Sequence, residues 1–240
     1  MIQRLLKETK GQLVSFNGGT KDNAIPRECE ASLIYESDEE AAKAEELACE
    51  LAETYAEELT PAEPDFSCEI SCETNRTAEA IPQDAAKEFI CAMRLAPNGI
   101  QKRNIKMDGF VVVSLNLGVV RTEEDRIVMI FSPRSSVASL QEDTKERLNT
   151  LAETFGFTVS HSSEYPGWSF KEDSPVREIC KESYKELFGE DLKIEAIHAG
   201  LECGLFSDAI KGLDAIAIGP TIANCCLLYT SDAADDGESV

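Results

Sequence analysis

Between Gly11 and about Ser160 the apolar positions change period several times, and each change marks an element. LVSFNGG (13–19) and RECEASLIYE (27–36) read as strands joined by a turn. Ser37 then opens a helix. Its hydroxyl can cap, Glu40 stands three positions on as a capping-box partner, and Ala44, Leu47, Leu51 and Tyr55 recur at helical spacing. Pro61 and Pro64 end that helix. DFSCEISCE (65–73) alternates again, and IPQDAAKEFICAMRLA (81–96) is helical, with Ala85, Phe89 and Met93 on one face. GFVVVSLNLGVV (109–120) and DRIVMIFSPRS (125–135) form the clearest strand pair, and the short polar link RTEED predicts a hairpin. A helix through 137–156 closes at Gly156, and FTVSHS (157–162) follows as a short strand. The sum is an antiparallel sheet covered on one side by helices, an α+β domain.

The pattern changes after Tyr165-Pro166-Gly167-Trp168. Ser174-Pro175 is a cap followed by proline at the first helical position. Val176, Ile179, Cys180, Tyr184, Leu187 and Phe188 share one face of the helix it starts, and Gly189 stops it. LKIEAIHAG (192–200) reads as a strand, ECGLFSDAI (202–210) as a short helix, and LDAIAIGP (213–220) as a nearly unbroken apolar strand. Strands of that last kind are usually buried on both faces of a parallel α/β sheet. Two strands cannot cover both faces of such a sheet, so these residues are expected to be the end of a second domain. The remaining stretch, ANCCLLYTSDAADDGESV (223–240), has no period, cap or turn and reads as disordered.

Composition narrows the classes. No run of about 18 apolar residues occurs, so no transmembrane helix is expected, and the charged start MIQRLLKETK does not read as a secretory signal. The nine cysteines are an odd number without any C-x-x-C, which points to thiols in a reducing cytoplasmic setting rather than a disulfide framework. A net charge of −22 opposes nucleic-acid binding, which depends on neutralising phosphates with Lys and Arg. Its plainest meaning is solubility.

Three motifs could carry chemistry. HAGLECGLF (198–206) sits at an expected strand end, where α/β sheets place ligands, and Gly200 and Gly204 allow close backbone approach. By spacing alone a plain strand–turn–helix link remains the stronger reading. A metal site built from His198, Glu202 and Cys203 is not expected, because a catalytic zinc takes three protein ligands and the chain offers only His161 as a second histidine. In GGTKDNAIPRE (18–28) the glycines and Asp22-Asn23 suit a turn. That segment is either a simple strand connection or a loop whose Asn23 amide is presented to a ligand's oxygen. In SPRSS, Arg134 near a strand end could be merely solvated or could grip a carboxylate with its rigid fork. No Ser-His-Asp arrangement, phosphate loop or dinucleotide fingerprint is present.

In order along the chain, GGTKDNAIPRE, SLNLGVV, SPRSSVAS, SEYPGWSF, IEAIHAGLECGLFS and GLDAIAIGPTI resemble the aminoacyl-histidine dipeptidases. These belong to the zinc exopeptidase clan that includes the carnosinases. The resemblance covers about residues 1–222. It implies the end of a helix at 1–10, an α+β lid domain at 11–162 that also serves homodimerisation, and the C-terminal part of an α/β zinc-exopeptidase catalytic domain at 163–222. It implies hydrolysis of dipeptides, often with C-terminal histidine, by a zinc-activated water in the cytoplasm. In the family the general base and the zinc ligands lie outside the segments matched here, so zinc is expected in a full-length parent and no metal in this chain. Asn23 matches a lid position that supports the oxyanion, Arg134 matches a grip on the substrate carboxylate, and the loop carrying His198, Gly200 and Glu202 matches the lining of the substrate pocket. Relatives carry a metal-binding histidine four positions after Ile222, where this chain has Cys226. LLYTSDAAD resembles translated adapter sequence, so 223–240 is expected to be foreign to the natural protein, and the chain by itself is expected to be inactive. The competing class is a non-catalytic α+β module that pairs with itself or a partner.

Overall fold

The structure is a computed structural model that describes residues 1–74, 77–105, 110–162, 167–168, 170–194 and 202–219. Helix α1 (Ile2–Glu8) leads into strands β1 (Gln12–Gly18) and β2 (Cys29–Ile34), and then into helices α2 (Asp38–Leu59) and α3 (Gln83–Leu95). Strands β3 (Gly99–Asn104), β4 (Phe110–Thr122) and β5 (Ile127–Ser135) follow, with helices α4 (Ala138–Phe155), α5 (Pro175–Phe188) and α6 (Glu202–Ala209) after them. The strand order is β2-β1-β4-β3, with β5 also against β4. The β1–β2, β1–β4 and β3–β4 pairings are antiparallel. An α+β architecture with an antiparallel sheet is thus what the alternating periods predicted.

By contacts the chain divides into two compact units. The first comprises Met1–Pro97, Asn116–Ser132 and Arg147–Val159; the second comprises Asn98–Leu115, Pro133–Glu146 and the residues from Ser160 onward.

In the first unit, β1 carries a bulge. Leu13 pairs with Leu33 but Ser15 pairs with Ser32, so one residue is inserted on the β1 side. In a regular strand Leu13 and Phe16 would point to opposite faces. The inserted residue restores them to one face, and both join Ala86, Phe89 and Ile90 of α3 and Val120 of β4 in the core. The Phe16 and Phe89 rings meet edge-on at 5.5 Å and 71°. Thr122 joins β1 to β4 where the ladder is short. Its hydroxyl accepts from the Phe16 N–H at 2.8 Å, and its own N–H donates to the Asn17 side-chain oxygen at 2.9 Å. A second cluster sets Leu5 of α1 against Ala44 and Ala48 of α2.

Ser37 caps α2 as expected, accepting from the Glu40 N–H at 3.3 Å. The capping box is not reciprocal, however, because the Glu40 carboxylate accepts from the Lys10 N–H at 3.2 Å and lies 3.7 Å from the Lys10 ammonium. The RTEED link is a tight turn, with the Glu123 N–H donating to the Arg126 carbonyl at 2.8 Å.

In the second unit, β3 pairs with the first half of β4 from Gly99↔Leu115 to Asn104↔Phe110. The strands expected over 65–73, 157–162 and 213–219 do not form. A strand exists only where a neighbour accepts its backbone hydrogen bonds, and no described strand lies alongside these segments. The strand expected at 192–200 is not seen over 192–194, and its remainder lies outside the described residues. The 223–240 stretch also lies outside them. α5 is capped as expected but buries no residue, and Ile179, Leu187 and Phe188 stay 63%, 76% and 65% exposed.

Candidate functional site

Asn23 lies on the link between β1 and β2, in a turn closed by the Ala24 N–H donating to the Lys21 carbonyl at 3.3 Å. Its side chain is exposed and has no partner among the described residues. The backbone around it is held from below by β4. A Cβ on Gly19, whose φ is +72°, would stand 1.9 Å from the Gly118 carbonyl oxygen. A Cβ on Gly118 would stand 2.3 Å from the Asp22 carbonyl oxygen. Both positions therefore require glycine, because real Cβ contacts are never that short. Asn116, two residues before Gly118 on β4, directs its Nδ2 to the Asp22 carbonyl at 2.9 Å and to the Ala24 carbonyl at 2.7 Å. An amide nitrogen has two hydrogens to donate, and here both go to the residues flanking Asn23.

Arg134 stands near the end of β5, within the second unit. It is half-buried, and among the described residues its side chain makes no hydrogen bond or ion pair. The strand end beside it is fixed. The Ser135 hydroxyl accepts from the Val137 N–H at 3.0 Å and donates to the Val137 carbonyl at 3.0 Å. A Cβ on Gly167 would lie 2.9 Å from the Ser136 carbonyl carbon, so the Gly167 backbone rests directly on Ser136. A partly desolvated guanidinium with open donors is suited to a planar carboxylate.

Glu202 is the first residue of α6 and is exposed. His198 and Gly200, named with it, lie outside the described residues. After α6 the chain returns past Cys203, whose thiol lies 3.9 Å from the Ile216 carbonyl, and Asp214 reaches α5. The Val176 N–H donates to Asp214 Oδ2 at 2.9 Å, while Oδ1 is buried without a hydrogen-bond partner and has the Lys171 ammonium at 3.7 Å. The Val176 N–H holds the Asp214 carboxyl below the usual carboxylate range, and Ser174 and Lys171 act in the same direction.

Asn116, Gly118, Gly167 and Asp214 were not singled out from sequence. The first two did leave a signal, since a polar residue and a glycine interrupt an otherwise apolar strand, and a strand glycine often marks close approach of another backbone. Among the described residues no group of three or more His, Cys, Asp or Glu could hold a metal ion, so these residues do not fit zinc.

No family model matches the chain. It is 33% identical over 215 residues to the cytosol non-specific dipeptidase of Escherichia coli (strain K12), covering 88% of this chain and 43% of that protein. Its fold matches a crystal structure of aminoacylhistidine dipeptidase from Vibrio alginolyticus with a TM-score of 0.74 and 33% identity, over 86% of this chain and 43% of the other. The chain therefore spans less than half the length of either relative, and over most of its own length its sequence and fold match a segment of these two dipeptidases.

Proposed function

We propose that the chain is the substrate-gripping segment of a zinc-dependent dipeptidase that cleaves dipeptides, including those with C-terminal histidine. The observation that carries this is Arg134. A half-buried cation without a counter-charge among the described residues is costly, and a substrate carboxylate would offset that cost. Arg134 orients the substrate by its C-terminal carboxylate, and the free Asn23 amide donates to the oxygen that becomes negative as the peptide carbonyl is attacked. The loop bearing His198, Gly200 and Glu202 lines the pocket. Zinc supplies an activated water in such enzymes, and its ligands and the general base would come from outside the described residues.

Under the same reading, 11–162 is a lid that pairs with a second copy, 163–222 ends the catalytic domain, and 223–240 is foreign. The setting is cytoplasmic. The names of the two relatives support the dipeptidase reading, and that of the Escherichia coli relative supports the cytoplasmic setting; the division at 162 and the foreign tail rest on the family motifs.

The test uses a completed enzyme, in which residues 1–222 are joined to the parts of the Escherichia coli relative that the chain does not span. Arg134→Ala is expected to raise KM chiefly, and Asn23→Ala to lower kcat by about a hundredfold. Unchanged kinetics in both variants would show that the two side chains are simply solvated.

A further inference from the structure

We propose that Asn116 is a positioning residue for the candidate oxyanion donor Asn23, acting together with Gly118 as a clamp on the 19–26 loop. This rests on the role proposed for Asn23.

An oxyanion donor contributes by being fixed before the reaction, since reorganisation at the moment of charge development would cancel its effect. The Asn23 side chain is exposed and has no hydrogen-bond partner among the described residues that could fix it. Its two neighbours are fixed instead. Asn116 Nδ2 holds the Asp22 carbonyl at 2.9 Å and the Ala24 carbonyl at 2.7 Å, which fixes the peptide entering Asn23 and the peptide leaving Ala24. With both partners acceptors, the amide can be oriented only with its nitrogen toward the loop.

Gly118 lets the loop descend far enough to be reached, since the Asp22 carbonyl occupies the space a Cβ would need. Gly19 makes the reciprocal approach from the loop side, with Pro26 also against it at 3.3 Å from the ideal Cβ position. Asn116 and Gly118 lie on a strand whose neighbours Leu115, Val119 and Val120 are buried, so the clamp is mounted on a strand anchored in the core. The Asn116 side chain does not serve the core: it is only half-buried, and its hydrogen bonds go to a surface loop.

The experiment has two arms. In the first, amide hydrogen exchange is followed in the full chain and in its Asn116→Ala, Asn116→Asp and Gly118→Ala variants. Exchange across 20–24 is expected to accelerate by about tenfold or more, with Leu13, Phe16 and Val120 retaining their protection. Unchanged exchange in the loop would overturn the clamp, and loss of protection at Leu13 and Phe16 in all three variants would overturn it in favour of a general structural role.

In the second arm, Asn116→Ala in the completed enzyme is expected to lower kcat with KM within about twofold of its original value. The Asn23→Ala, Asn116→Ala double variant should then be no slower than Asn23→Ala alone. Additive losses would overturn the proposal that Asn116 acts through Asn23. If Asn23→Ala alone kept full kcat while the loop exchanged faster in the clamp variants, the fault would lie with the Asn23 role, and the catalytic purpose of the clamp would be overturned with it.

Discussion

Leu13 is 0% exposed and Ile105 is 92% exposed, which separates two residues that look equally apolar in sequence. Leu13→Ala is expected to destabilise the chain by about 2–5 kcal/mol, the sum of lost transfer energy and a residual cavity. Ile105→Ala should stay within about 0.5 kcal/mol. Urea unfolding of both variants checks this, and equal midpoints would show that the Leu13 core is not what holds the first unit. At this scale the candidate chemistry was only partly legible. Asn23 and Arg134 stand out by residue type and motif, and neither side chain has a partner among the described residues. What surrounds them did not stand out, because the Asn116 bonds to Asp22 and Ala24 cross more than ninety positions of sequence. Likewise Leu13 and Phe16 share a face only through a bulge that no local signal announces.

Elements with their own end signals were the legible ones. Ser37 and Ser174 cap α2 and α5, with Pro175 at the start of the latter. Strand β3, GIQKRN, was invisible, since a polar edge strand has no alternating apolar face and gains its order from β4. The apolar run 213–219 failed in the opposite way, with a strong strand composition and no described partner. It is tied down instead through Asp214, which receives the Val176 N–H of α5 and whose side chain is 15% exposed. Because the folded carboxyl titrates below its ordinary value of 3.8, its contribution is present above that value and is lost as pH falls through the lowered one. Thermal unfolding of the chain and of Asp214→Asn, compared from about pH 5 to about pH 2, should show the chain's advantage shrinking toward the acid end. A constant difference across that range would mean that the Asp214 charge does not anchor α5.

At the scale of the whole molecule, the chain spans 43% of the length of each of its two relatives. The exposed apolar face of α5 and the unpaired 213–219 segment fit an α/β portion deprived of its neighbours. Among the described residues, the two core clusters of the first unit draw their buried side chains from that unit alone. If 11–162 folds by itself as proposed, a chain ending at residue 162 is expected to unfold in a single cooperative urea transition, whereas a gradual, non-cooperative loss of structure would count against that division. The central claim, that this is a gripping segment of a dipeptidase whose metal residues lie elsewhere, is tested most directly by zinc-dependent hydrolysis of an aminoacyl-histidine dipeptide. The account predicts turnover by the completed enzyme, abolished by a chelator, and none by the 240-residue chain alone. Chelator-sensitive turnover by that chain alone would contradict it.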